Sequence, residues 1–201
     1  MSKVTIQGDA SGTGIFTIAS PNSNTDRTLT LPDEAGTIDT LQRAGNVLQV
    51  VSVSKTNEFT TTSGTFVDIT DLSISITPQS ASNKILLLCT MGSFANDNTD
   101  GDKRAHMRFT RDGSAICVGD AGTGDEVTLT VNLRSDSGLV HQVPASASFL
   151  DSPNTTSSVT YKVQASRGAD AFGTVRLNRT GLVDANNGNA ATTFTVMEIA
   201  G

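Results

Sequence analysis

The chain has 201 residues and a formal net charge of -6; 36% of its residues are hydrophobic, 4% are aromatic, and it has no Trp and one Tyr. An acidic surface repels phosphate backbones, which argues against nucleic acid as a partner, and no segment approaches the roughly 18 apolar residues of a membrane span. Lys3 is not followed by an apolar run, so no signal peptide is expected. With so few aromatics, Val, Ile, Leu and Phe must build the core, and some apolar burial is expected between subunits. The polar residues are mainly Thr, Ser, Asn, Asp and Gly, a mixture that favours strands and turns over helices.

Residues 1–45 read differently from the rest. Three short alternating pieces, Val4–Gln7, Ile15–Ile18 and Leu29–Leu31, are separated by the turn-rich links GDASGTG and SPNSNTDR. Strands this short need partners from elsewhere, which predicts an extended anchoring arm that pairs with another surface through Ile6, Ile15, Phe16, Ile18, Leu29, Leu31 and Pro32. The phrase FTIASPNSNTDRTLTLPDEAGTI resembles stretches near the front of phage tail-fibre and virion-appendage proteins. Residues 39–46 read as a linker with a single helical turn.

From residue 47 the pattern is β throughout. Leu48 to Val53 alternates; Phe66–Ile69 follows, and Leu72, Ile74 and Ile76 fall on one face of a strand ending before Pro78. The continuous apolar run Ile85–Cys89 fits a central strand covered on both sides. Further strands are expected at 106–110, 115–118, 127–131, 145–150, 159–164, 174–178 and 192–199, with a tight hairpin at Arg111-Asp112-Gly113-Ser114. Many short strands at this spacing predict an all-β, antiparallel sandwich over residues 47–201, preceded by the extended β-arm.

Three phrases in this region, SISITPQSASNKILLLCTMGSF, ASFLDSPNTTSSVTYKVQA and VRLNRT…TFTVMEIAG, are similar to phrases of marine phage structural proteins. The strand order resembles the jelly-roll heads of the tumour necrosis factor-like group. The resemblance implies a bacteriophage virion component, assembled in the host cytoplasm, with a jelly-roll-like head that forms a homotrimer. It also implies Tyr161 pointing into the core and a last strand in the middle of its sheet. The expected partners are further copies of the chain and the major capsid protein or another virion protein. A capsid decoration protein or head fibre fits the absence of a shaft-like repeat; a tail fibre or tail-attached protein that binds host-surface glycan is the alternative.

No constellation points to an enzyme. His106 and His141 lie in strand-like contexts, no Ser sits in a nucleophile elbow, and Cys89 and Cys117 lie in apolar runs that suit buried free thiols, with a disulfide left open. The cluster Asn96–Asp102 partly mimics a calcium loop, but position twelve is Met107 where that loop needs Glu. No metal, cofactor or catalytic residue is therefore assigned. Asp97, Asp100, Asp102, Asp120 and Asp125 are read as acidic residues of exposed head loops. The Asn-x-Thr patterns at Asn154 and Asn178 carry no weight in a protein made in bacteria.

Overall fold

The computed structural model describes residues 43–97, 103–121, 127–135, 142–169, 171–179 and 188–201, with scattered positions between 11 and 28; every element below lies within these. The chain divides into two units, 1–38 and 39–201. Of the predicted arm only Ile15 is described among the named anchoring residues; it is outside any strand and exposed, while Ile6, Phe16, Ile18, Leu29, Leu31 and Pro32 lie outside the described residues.

The second unit is a sandwich of two antiparallel sheets with jelly-roll-like character. The first sheet runs β1 (Val47–Lys55), β11 (Thr192–Ile199), β4 (Lys84–Asn96) and β8 (Gln142–Asp151). Its far end adds β10 (Val175–Leu177) and β2 (Phe59–Thr61) beside the last residues of β4. The second sheet runs β3 (Val67–Ile76), β9 (Val159–Ser166), β5 (Lys103–Arg111) and β6 (Ser114–Ile116), with β7 (Val131–Ser135) also on β5. Each sheet turns one face of its alternating pattern inward. Leu72, Ile74, Ile76, Ile85, Leu87, Cys89, Met107, Phe109, Tyr161, Val163, Phe194 and Val196 are all buried in one core. Val, Ile, Leu, Met and Phe supply the bulk of it, and Phe109 meets Phe194 across the two sheets at 5.9 Å between ring centroids.

The expected hairpin is present: Arg111 pairs with Ser114, and Asp112 and Gly113 both have positive φ, 49° and 85°. Both signs match the two-residue turn whose twist suits an antiparallel pair. A Cβ at position 113 would meet no neighbour within 4 Å, so the strain of Gly113→Ala is purely conformational. That substitution is expected to cost about 1 kcal/mol, seen as a melting temperature lower by roughly 2–4 °C.

Several expectations need correction. The pieces at 66–69 and 72–76 belong to one strand, β3, interrupted by a bulge at Asp71 (φ 68°). The bulge resets the parity, so Ile69 and Leu72 are both buried although three apart. The strand expected at 115–118 ends at Ile116, because Cys117 is left-handed (φ 53°). The one expected at 127–131 begins only at Val131, and β2 was not foreseen. Of the linker expected to hold a helical turn, residues 39–42 lie outside the described residues, and residues 43–46 form a turn closed by Asn46 N–H to the Arg43 carbonyl. The run Ile85–Cys89 is covered fully on one side only: Ile85, Leu87 and Cys89 are buried, whereas Leu86 and Leu88 are half-buried. Tyr161 is buried and β11 lies between β1 and β4, as the resemblance implied.

Candidate interaction face

The polar side chains that could carry chemistry are occupied in holding the sandwich together. Asn96 ends β4, buried, and its amide donates to the Arg104 and Phe172 carbonyls at 2.8 and 2.9 Å. Asp97 is no loop tip: it is largely buried, accepts the Thr174 N–H at 2.8 Å and pairs with Arg176, which also binds Glu58. The Asp97 carboxylate, one potential ligand of the calcium-like stretch, is thus committed to the Thr174 N–H and to Arg176 of β10. Asp100, Asp102 and Asp125 lie outside the described residues, as does His141, while Asp120 is exposed. Among the described residues no three His, Cys, Asp or Glu side chains are placed to hold a metal ion.

The remaining candidates are similarly placed. His106 is buried beside Phe66, with 6.4 Å between ring centroids, and Arg108 lies over the same Phe66 ring at 4.1 Å. The two cysteines are free; burial pushes the Cys89 thiol up to about 12 and raises Cys117, which is half-buried rather than buried. Neither is a thiolate at neutral pH. The Tyr161 hydroxyl is raised by burial and by its 2.7 Å bond to Asp151, which also binds Arg111.

Buried charges were missed from sequence: Lys55, Lys103, Asp151 and Glu198 are all buried, and Lys55 and Glu198 show how such a group is held. Lys55 is fully buried and donates to Asn57 at 2.8 Å, Thr70 at 3.1 Å and Asp71 at 3.2 Å. Glu198 is also fully buried; it accepts from Gln49 and Asn83 at 2.6 Å each and from the Gln79 N–H at 2.6 Å. A signal was available. Lys55 continues the inward series Val51, Val53, and Glu198 continues the inward series Phe194, Val196. A charge at the inward end of a strand must find partners there. Asn178 is a further buried polar group: left-handed at φ 68°, it donates to the Lys55 and Asn57 carbonyls and accepts from the Thr192 hydroxyl. Its burial also rules out the glycosylation pattern there as an accessible acceptor.

The two outer faces of the sandwich differ. The outer face of the second sheet carries Asp68, Lys162, Gln164 and Arg108, linked by hydrogen bonds and an ion pair across the strands. Burial opposes but does not prevent a lowered Asp68 carboxyl, held down first by its bonds from Lys162 and Gln164. The outer face of the first sheet is different. Strand register aligns three successive rows across β1, β11, β4 and β8. They are Val50–Met197–Leu86–Leu150, Ser52–Thr195–Leu88–Ser148 and Ser54–Thr193–Thr90–Ser146. None of the twelve is charged. Val50 and Leu150 are 54% and 53% exposed, and Leu86 and Met197 between them are half-buried. The lower rows are mostly hydroxyls, with Ser52 and Thr195 bonded to each other at 2.8 Å. A shallow groove of about 320 Å³ runs between β4 and β8 along Leu88, Thr90, Ser146 and Ser148. No described helix is long and apolar enough to cross a membrane.

No family model matches the chain, and no curated protein does. Among solved structures, one of infectious bursal disease virus Gx strain is similar over 75% of this chain and 36% of that chain, at 14% identity and a TM-score of 0.32. The chain therefore spans little more than a third of that neighbour's length.

Proposed function

We propose that the chain is a structural, non-enzymatic component of a bacteriophage particle. Residues 1–45 anchor it to the major capsid protein or another virion protein by adding short strands to that surface, and residues 47–201 form a trimeric β-sandwich head displayed as a capsid decoration or head fibre. Assembly takes place in the host cytoplasm. The observation that carries this reading is the contrast between chemistry and surface. The described polar clusters are engaged in fixing strands, while three rows on the outer face of the first sheet are uncharged and partly apolar, the character of an assembly contact. The resemblance of the arm and of the three head phrases to phage appendage proteins supplies the particle.

The test is incorporation. Full-length protein is expected in purified particles after infection. A chain lacking residues 1–45 is expected to give the same β-sheet circular dichroism and to be missing from those particles. Incorporation of the shortened chain would remove the anchoring role of the arm. Absence of the full-length chain from particles would remove the virion assignment.

A further inference from the structure

We infer that the outer face of the first sheet is the surface that a second copy of this chain covers. The inference rests on the structural reading above and adds to it the place where copies meet.

Three observations select a second copy over other partners. The first is apolar exposure in register. Val50, Met197, Leu86 and Leu150 form one continuous row across four strands, about 14 Å between the axes of the two outermost strands at the usual spacing. The second is the chemistry of the rows beside it. A hydroxyl is both donor and acceptor, so a surface of Ser and Thr can hydrogen-bond to a copy of itself, which a carboxylate or ammonium surface cannot do. The third is charge. Two chains of net charge -6 repel at a distance, so their contact must fall where acidic groups are missing. These rows contain none, whereas the opposite outer face carries Asp68, Lys162 and Arg108.

Area then decides what kind of contact this is. Four strands and three rows span roughly 19 by 20 Å, about 400 Å². That is about half of the roughly 800 Å² each partner contributes to a standard interface. A pair joined through these rows alone would be weak. Pairing of these rows with the same rows of a second copy closes about a twofold axis, whereas in a closed ring they meet a different surface of the next copy, so a trimeric head needs that second surface as well and gains its area.

The experiment is sedimentation velocity on the full-length chain and on Val50→Asp and Leu150→Asp. Both sites are more than half exposed, so neither substitution opens the core. Ser148→Arg, which leaves the apolar row intact and places charge among the hydroxyls, guards against a fold defect in the other two, and Ser73→Asp on the opposite face, across from Lys162, is the control. The unchanged chain and Ser73→Asp are expected to sediment as a multiple of 20.9 kDa. The three face variants are expected at 20.9 kDa with unchanged circular dichroism, their association weakened at least roughly 100-fold. Face variants that keep the multimeric mass would overturn the inference while leaving the virion reading intact, because particle incorporation is measured separately. An unchanged chain that stays monomeric up to about 100 μM would overturn it too.

Discussion

Phe194→Ala is expected to destabilise the sandwich by about 3–5 kcal/mol, the range for emptying a fully buried aromatic site. Phe194 has no exposed surface; it pairs with Val53 on one side and Cys89 on the other, and it stacks on Phe109 of the facing sheet with 18° between the rings. With few aromatics in the chain, little else of comparable size can move in to fill the space. Since domains of this kind are stable by about 5–15 kcal/mol in all, the change removes a large fraction of the total. Urea unfolding should show it as a midpoint lower by roughly 1.5 M with an unchanged slope. Phe109→Ala should behave similarly, and the double variant should lose less than the two single losses added together, because both remove the same contact. Additive losses would mean that the two rings are independent and that the sheets are held together elsewhere.

The second large effect is at Glu198. Burial alone would raise its carboxyl, but bonds from Asn83, Gln49 and the Gln79 and Ser80 backbone N–H groups outweigh burial and hold it below its ordinary value of 4.5. A carboxyl depressed in the folded state adds stability that is complete above its unfolded value and is lost as the pH falls through the folded one. Unfolding free energy should therefore decline as the pH drops below about 4.5. Glu198→Gln should flatten that acid limb and lower stability at neutral pH, since its NH₂ would face existing donors. Glu198→Ala, which orphans Gln49, Asn83 and the backbone donors together, should cost about 3–5 kcal/mol at pH 7. Asp68, also depressed but exposed on the opposite face, is the comparison: Asp68→Asn should leave the acid limb nearly unchanged. An acid limb equally steep in Glu198→Gln would assign the pH dependence to other carboxylates.

The sandwich was largely legible because period-two alternation survives wherever a strand buries one face. Leu72, Ile74 and Ile76 share the buried face that their alternation predicts, Thr192–Ile199 is a strand as expected, and Asp-Gly marks the hairpin. Legibility failed where the backbone leaves regular geometry without an obvious residue signal. Asp71, Cys117 and Asn178 are left-handed without being glycine, and each ends or shifts a strand. A similar shift in β4 falls at Gly92–Ser93, where the strand exchanges β11 for β10 as its neighbour. Gly92 is needed there, since a Cβ would lie 2.8 Å from the Ala191 carbonyl oxygen. The short β2 has too few residues to show any period. The neutral face was hidden for another reason. Val50, Leu86, Leu150 and Met197 are scattered through the sequence, and only the register of four strands aligns them.

The turn at residues 45–46 and the end of β11 are clasped together: Gly45 N–H donates to the Ala200 carbonyl, and Ala200 N–H donates to the Asn46 carbonyl. Tension applied between the chain ahead of Val47 and the chain after Ile199 would unzip β1 from β11 one bond at a time, the mode of least resistance. Tension applied between that same leading chain and a subunit gripping the uncharged rows would instead pull β1 along its own axis, loading its whole ladder to β11 at once. A head held by its leading segment and by its neighbours is thus mechanically tougher than one held by its two ends.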